Sequence, residues 1–342
     1  MMQPTDADLA LLGQLVVVSH HPEERDGGVV ASLRSVAREF GIPWEWTSAD
    51  APSVAATNAD LVLFNGAFSL QTDAARDLLR ERVAHGSRSA VYWHETGWAL
   101  RRFQGLDVWD EATARRRARR WVDLARLLPD PLVCHLAASA TTKVAVVAVT
   151  GVDPRHVALV YEAAAGDAPR RERPHPTEEL RVCAAGGNNP RKNADGFARL
   201  AEAGDVDGMP TTWTWYGDNE TALASPVVRS PGECRPLVDA LATHDVYLGL
   251  SLDEPFSVAA LEALSVGLPV LCLEGTGMSE VVPPGWVLHC EREVPAALTS
   301  MLHAAWPEPE VSRRIADRFT PAAFVVRVAR AVEHHADRTR SP

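Results

Sequence analysis

The chain has 342 residues, of which 46% are hydrophobic and 23% are charged. This composition supplies enough apolar side chains for buried cores and excludes a disordered, collagen-like or coiled-coil protein. The formal net charge is −11, from 34 basic and 45 acidic residues, which argues against nucleic acid or an anionic membrane surface as the main partner. A chain of this length is typical of two domains of roughly 150 residues each.

The N-terminus and the cysteines bear on localisation. No apolar run reaches the roughly 18 residues that a membrane-spanning helix needs. Asp6 and Asp8 stand where a secretory signal peptide would be basic. The five cysteines include no C-x-x-C pair, a spacing that favours reduced thiols over a disulfide framework or a zinc site. We therefore expect a cytoplasmic protein with no stable membrane insertion.

Short apolar segments alternate with helix-length segments through the first half of the chain. Strands are predicted at residues 15–20, 60–65, 89–94 and 131–136. A helix is predicted over residues 29–41, which end in glycine, and another over residues 72–86, which begin with the capping residue Thr72. This alternation is typical of βαβ units in a parallel sheet covered on both faces.

The second half repeats the pattern after a linker rich in proline and charge, residues 163–177. The predicted strands are LRVCAAG, TTWTWYGD, DVYLGLS and PVLCLEG, and the predicted helices are ADGFARLAEAG, RPLVDALATH and VAALEALSVG. The sequence therefore predicts an α/β protein of two doubly wound, Rossmann-like domains, residues 1–165 and 176–321, facing an interdomain cleft. Ligands of such sheets bind beyond the carboxyl ends of the strands.

Two glutamates lie close to the start of a predicted helix in the second domain. Glu254 falls in the loop after a predicted strand and Glu262 lies about two turns into the next helix, so both carboxylates can face one ligand. The helix start offers backbone N–H groups at Phe256, Ser257 and Val258, which suit phosphate or sugar oxygens. Carboxylates beside them can accept hydrogen bonds from the hydroxyl groups of a polyol. The alternative is that Glu262 is a solvated helix residue and Glu254 an ordinary loop carboxylate.

Four segments together resemble a known enzyme family. Residues 253–282, DEPFSVAALEALSVGLPVLCLEGTGMSEVV, closely resemble the E-x7-E signature of the retaining glycosyltransferases of family 4, the glycosyl transferases group 1, which have the GT-B fold. Residues 186–203, GGNNPRKNADGFARLAEA, look like the loop and helix with which many members hold the donor diphosphate. Gly27 and Gly28 are similar to the family's N-terminal glycine loop, and VYWHETGW is similar to its strand-ending histidine segment.

In the second domain, the resemblance implies that Glu262 accepts hydrogen bonds from the ribose hydroxyls and that Glu254 holds the donor sugar. The backbone of residues 256–258 would lie beside the sugar and the diphosphate. Arg191 and Lys192 would neutralise the diphosphate, because a sugar diphosphate that leaves as an anion needs cations. The alternative for Lys192 is a surface lysine.

Two positions of the second domain depart from the family pattern. Gly187 stands where many relatives have an arginine, so the diphosphate clamp would rest on one Arg–Lys pair. Ser257 replaces a glycine that more often follows E-P-F, a change that would narrow the sugar pocket.

In the first domain, His94 matches the family histidine beside the reacting anomeric centre. Glu95 would orient His94 or receive an acceptor hydroxyl, and Trp98 would stack on a sugar ring. Gly27 and Gly28 would allow the backbone to approach a phosphate closely. The alternatives are a hydrogen-bonded core histidine for His94, core packing for Trp98 and an ordinary turn for the two glycines.

The resemblance implies a retaining glycosyltransferase of hexosyltransferase type that uses no metal or other cofactor. Residues 176–321 would bind the nucleotide sugar and residues 1–165 the acceptor, a soluble small molecule or a glycan. A final helix, residues 322–336, would pack back on the first domain. A monomer or homodimer is expected. One alternative is an epimerase or hydrolase that uses the same phosphate site, and another is a non-catalytic subunit that binds a partner glycosyltransferase.

Overall fold

The chain forms two units, and each has its own parallel sheet. Unit 1 comprises Met1–Ala163 together with Pro321–Pro342, and unit 2 comprises Ala164–Thr320. This computed structural model describes residues 3–13, 15–19, 28–66, 69–94, 102–103, 106–107, 124–164, 168–169, 175–187, 190–217, 225–252 and 254–340.

Strands and helices alternate in both units. The strands are β1 (Leu15–Ser19), β2 (Glu45–Ser48), β3 (Leu61–Asn65), β4 (Arg88–Trp93), β5 (Arg102–Phe103), β6 (Leu106–Asp107), β7 (Val133–Ala137), β8 (Val157–Leu159), β9 (Leu180–Ala185), β10 (Thr211–Tyr216), β11 (Val228–Gly232), β12 (Val246–Gly249), β13 (Val270–Leu273) and β14 (Val287–Leu288). The α-helices are α1 (Asp6–Leu12), α2 (Gly28–Glu39), α3 (Val54–Asn58), α4 (Asp73–Ala84), α5 (Ala140–Thr150), α6 (Ala194–Glu202), α7 (Leu237–Leu241), α8 (Val258–Val266), α9 (Val294–His303), α10 (Pro309–Ala316) and α11 (Pro321–Arg340). Short 3-10 helices occur at Ser69–Gln71, Pro154–His156, Pro190–Lys192, Gly277–Glu280, Pro284–Trp286 and Glu291–Glu293.

Unit 1 is built on a six-stranded sheet in the order β2-β1-β3-β4-β7-β8, and its strand pairs are parallel. Every residue of β1, β3 and β7 is buried, as expected for strands of a parallel sheet with helices on both faces. β5 and β6 form a separate antiparallel pair. The predicted strands of this half are confirmed to within two residues at each end.

The terminal helix α11 belongs to unit 1 although residues 164–320 come before it in unit 2. It contacts α1, α2 and β7. The ring of Phe324 packs edge-on against Tyr92 of β4, with the ring centroids 5.8 Å apart. None of the helices in the described ranges is both long enough and apolar enough to cross a lipid bilayer.

Unit 2 contains a second parallel six-stranded sheet, in the order β11-β10-β9-β12-β13-β14. Counted from β9, this order is 3-2-1-4-5-6, that of the doubly wound nucleotide-binding sheets. The direction of winding reverses between β9 and β12, which pair through Val182 and Val246. A crevice at this reversal point is where such sheets bind their ligands. The loops that follow β9 and β12 are therefore the segments of interest.

Candidate active site

A partly buried ion cluster joins the loops that follow β9 and β12. The Glu254 carboxylate oxygen Oε2 accepts hydrogen bonds from Lys192 Nζ at 2.5 Å and from Arg191 Nη1 at 3.1 Å. Burial raises the pKa of Glu254, but the two positive charges and their hydrogen bonds outweigh it and lower the pKa to about 2. Glu254 is only 8% exposed and is ionised at neutral pH, so it neutralises much of the cationic charge beside it.

Two further hydrogen bonds fix the backbone of the cluster. The N–H of Leu252, just after β12, donates to the carbonyl oxygen of Arg191 at 2.7 Å. The N–H of Gly277 donates to the carbonyl oxygen of Glu254 at 2.9 Å. The loop after β9 is thus tied to the loop after β12 by main chain as well as by side chains.

Two glycines allow close packing of the main chain beside the Lys192 side chain. Gly186 follows β9 with φ +147°, and its carbonyl oxygen accepts from Trp215 Nε1 at 2.9 Å. A Cβ at Gly217 would lie 2.1 Å from that oxygen, and a Cβ at Gly186 would lie 3.1 Å from Cδ of Lys192. The main chain after β9 therefore passes closely between β10 and the lysine stem. Gly217 was missed by sequence analysis, which placed it inside the predicted strand TTWTWYGD, whereas β10 ends at Tyr216.

Helix α8 begins next to the cluster. Ser257 precedes the helix, and its hydroxyl accepts a hydrogen bond from the N–H of Ala260 at 3.2 Å, so it serves as the N-cap. Phe256 is buried and packs on Phe319, with ring centroids 5.3 Å apart. Val258 is the first residue of the helix. The first turn of a helix has N–H groups without helical partners, so this end favours anionic or hydroxyl oxygens.

Glu262 lies one turn into α8 in a different environment from Glu254. Its side chain is partly buried, and desolvation raises the pKa of Glu262 to about 7. No donor or cation in the described part of the chain pairs with this carboxylate. Donor groups that approach it would replace lost water and favour its ionised form.

His94 directly follows β4 in unit 1. Its imidazole packs against Gly66, where an added Cβ would lie 2.6 Å from His94 Nε2. Gly66 has φ +79°, and its N–H donates to the carbonyl oxygen of Tyr92 at 2.9 Å. The ring of Tyr92 lies 5.8 Å from the imidazole, centroid to centroid. The histidine thus lies against a backbone position that only glycine can fill, and sequence analysis missed Gly66.

The remaining candidates are placed as follows. Gly28 is the first residue of α2, and Gly187 lies two residues beyond the end of β9. Gly27, Glu95 and Trp98 lie outside the described residues. The structure therefore brings together Arg191, Lys192 and Glu254. Across the described ranges, no group of three His, Cys, Asp or Glu side chains is arranged to hold a metal ion.

Part of unit 2 matches a known family model. Residues 180–305, which span both loops and α8, match the family model described as Glycosyl transferases group 1. Among curated protein sequences, none matches the chain.

Solved structures match nearly the whole chain. HepE of Anabaena in complex with UDP and glucose is 13% identical, with a TM-score of 0.65 over 96% of this chain and 100% of the other. Sucrose-phosphate synthase of Thermosynechococcus elongatus is 14% identical, with a TM-score of 0.67 over 95% and 100%. WaaG, a glycosyltransferase involved in lipopolysaccharide biosynthesis, is 12% identical, with a TM-score of 0.60 over 93% and 99%. The chain thus has the two-domain α/β fold of the GT-B glycosyltransferases.

Proposed function

We propose that this protein is a glycosyltransferase that moves a sugar from a nucleoside-diphosphate sugar to a hydroxyl group of an acceptor. The observation that carries the proposal is the cluster of Arg191, Lys192 and Glu254 beside the reversal point of the sheet in unit 2. Two cations suit a diphosphate, and a carboxylate suits sugar hydroxyls. The match to the glycosyl transferases group 1 model covers the same residues.

In the proposed reaction, the bond between the anomeric carbon and the diphosphate oxygen breaks, and its electron pair leaves with the diphosphate. The acceptor oxygen forms the new bond to the anomeric carbon, and its proton passes to the leaving diphosphate. Arg191 and Lys192 would stabilise the charge that develops on the leaving group. On the strength of the E-x7-E resemblance, the proposal includes retention of anomeric configuration, with His94 acting beside the anomeric centre.

The other parts of the proposal rest on the same resemblance. Unit 2 would bind the donor, and the acceptor role falls to unit 1. The acceptor would be a soluble small molecule or a glycan, and the transferred group a hexose. Because Arg191 and Lys192 already supply positive charge for the diphosphate, the proposal includes no metal. The proposal also includes a cytoplasmic location and a monomeric or homodimeric protein.

Nucleotide binding is the first test. We expect one of UDP, GDP, ADP and dTDP, added without metal, to raise the unfolding temperature. A ligand at about a hundred times its dissociation constant stabilises the native state by roughly 2.7 kcal/mol, which shifts Tm by several degrees. UDP is tested first because it is bound in HepE. If none of the four shifts Tm, with or without Mg²⁺, a non-catalytic subunit becomes the better reading.

Turnover separates the remaining alternatives. A transferase consumes the nucleotide sugar only when an acceptor is present, whereas a hydrolase or epimerase consumes or converts it alone. Assay of the nucleotide sugar that shares the bound base, with and without a panel of hydroxyl acceptors, distinguishes these outcomes.

A change at Glu262 tests the ribose site. The proposal makes the Glu262 carboxylate an acceptor for ribose hydroxyls, which are charge-assisted hydrogen bonds worth about 1.5–3 kcal/mol. We therefore expect Glu262→Ala to weaken nucleoside-diphosphate affinity by about 10- to 100-fold at pH 8, measured by calorimetry. Unchanged affinity would mean that the E-x7-E signature has been misread.

The pH dependence of the same affinity gives a second readout. Because the pKa of Glu262 is raised to about 7, the protonated form prevails at pH 6 and the ionised form at pH 8. Hydroxyl donors favour the ionised form, so we expect binding to be about tenfold tighter at pH 8 than at pH 6. Glu262→Gln is the matched control, since it removes this titration and keeps any contribution from the nucleotide phosphates. An identical pH profile in both proteins would contradict the assignment.

A further inference from the structure

The residue that follows Lys192 has an unusual connection. Asn193 precedes α6 in the left-handed conformation, with φ 56° and ψ 42°, and its side chain does not cap the helix. Instead, Asn193 Nδ2 donates to Glu291 Oε2 at 2.9 Å. Glu291 begins the 3-10 helix Glu291–Glu293 beyond β14, 98 residues away in the chain. Asparagine is a preferred capping residue, so the hydrogen bond of the Asn193 side chain to Glu291 instead of to the helix needs an explanation.

The second oxygen of the same carboxylate contacts α6 further along. Glu291 Oε1 accepts from Arg199 Nη2 at 2.8 Å. Burial raises the pKa of Glu291, but the hydrogen bonds from Arg199 and Asn193 outweigh it, and the pKa is lowered. A Cβ at Gly196 would lie 2.3 Å from Glu291 Oε2, so the carboxylate rests directly on the helix backbone. Glu291 is thus ionised and contacts α6 at two points, the N-cap residue Asn193 and Arg199 in the last turn.

We infer that Glu291 is a positioning residue for Arg191 and Lys192. Glu291 holds Asn193, which directly follows Lys192, and the N–H of Leu252 donates to the carbonyl oxygen of Arg191, which directly precedes Lys192. The inference rests on the proposed function, in which these two cations bind the diphosphate.

The hydrogen bond between Glu291 and Asn193, called the tether below, can favour anion binding by Arg191 and Lys192. Arginine and lysine side chains lose much rotamer freedom when they bind an anion, and a fixed backbone limits the further loss. Asn193 also adopts the left-handed conformation, which asparagine tolerates better than most residues other than glycine. A purely structural tether would stabilise the fold without affecting phosphate binding, and the experiments below separate the two.

The first experiment needs no ligand. Amide hydrogen exchange of Leu252 reports the bond to the carbonyl oxygen of Arg191, and we expect Glu291→Ala to accelerate it by about tenfold. Glu293→Ala is the matched control, because Glu293 lies in the same 3-10 helix and accepts from the N–H of His289 instead. Unchanged exchange at Leu252 in a folded Glu291→Ala protein overturns the inference. Glu291→Gln, which retains one acceptor oxygen, serves if the alanine variant does not fold.

The second experiment asks whether the tether acts through the cations. We expect Glu291→Ala to weaken nucleoside-diphosphate binding by about tenfold while leaving the affinity of the matching nucleoside, which has no phosphate, unchanged. In a Lys192→Ala background the same change should cost clearly less than in the wild type, because only Arg191 remains to be positioned. Equal losses for both ligands, or fully additive losses, would contradict a positioning role. If the wild type binds none of the nucleotides, the proposed function fails, and hydrogen exchange alone decides whether Glu291 holds the loop.

Discussion

Lys192→Ala should reduce sugar transfer by about 100- to 1000-fold, the loss typical of removing one group that stabilises a developing anion in the transition state. Lys192 Nζ is the closer of the two cations at Glu254 Oε2, at 2.5 Å against 3.1 Å for Arg191 Nη1. In the proposed reaction, its loss would leave a single guanidinium for the charge of the leaving diphosphate. The measurement is kcat with the nucleotide sugar identified by the binding test.

Controls for Lys192→Ala come from the chain itself. Lys143 on α5 is the only other lysine, so Lys143→Ala is the matched control and should leave kcat unchanged. Circular dichroism and Tm test whether the Lys192→Ala variant is folded, and Arg191, which pairs with the same Glu254 carboxylate, is retained in it. Turnover close to that of the wild type would exclude Lys192 from the diphosphate site.

Glu254→Gln should separate nucleotide binding from sugar transfer. The Glu254 carboxylate lies within hydrogen-bond distance of Lys192 and Arg191 and is ionised at neutral pH, so under the proposed function it would compete with the diphosphate for the same cations. Removing its charge frees them, and we expect nucleoside-diphosphate affinity to rise by about three- to tenfold. Transfer should nevertheless fall by about 10- to 100-fold, because the charged acceptor for the sugar hydroxyls is lost.

The sign of the affinity change is the decisive readout. Glu262→Gln removes the other glutamate of the E-x7-E pair and should weaken nucleoside-diphosphate binding, whereas Glu254→Gln should strengthen it. Calorimetric titration of both variants with the same nucleotide at pH 8 makes the comparison. Weaker binding by Glu254→Gln would mean that its carboxylate supports the cations rather than competing for them.

The sequence predicts the inner strands of each sheet well because their burial requires continuous apolar runs. β1 and β3 are buried at every residue, and an apolar run identifies each of them. β2 and β8 lie at the two edges of the sheet in unit 1, where partial exposure removes that signal. Helix α5 was also missed, because its valines are β-branched and are more typical of strands.

The motifs likewise identify residue types but not their partners. The E-x7-E signature does not distinguish the environments of its two glutamates. The pKa of Glu254 is lowered to about 2, whereas the pKa of Glu262 is raised to about 7. The difference comes from what surrounds each carboxylate: two cations pair with Glu254, and only desolvation acts on Glu262. No spacing rule encodes either environment.

The order of residues by itself therefore determined the alternating α/β pattern, the motif residues and the class of chemistry they suit. Only the tertiary structure decided which of them meet. Lys192 and Glu254 are 62 residues apart and come within hydrogen-bond distance because β9 and β12, whose loops carry them, are neighbours in the sheet. Gly66 and Glu291 were identified only in the structure for the same reason. Gly66 contacts His94 and Glu291 contacts Asn193, and each partner is distant in the chain. The hydrogen-bond partners and the pKa value of a side chain depend on its distance from other groups and on its burial. These distances and this burial exist only once the strands have assembled into the sheet.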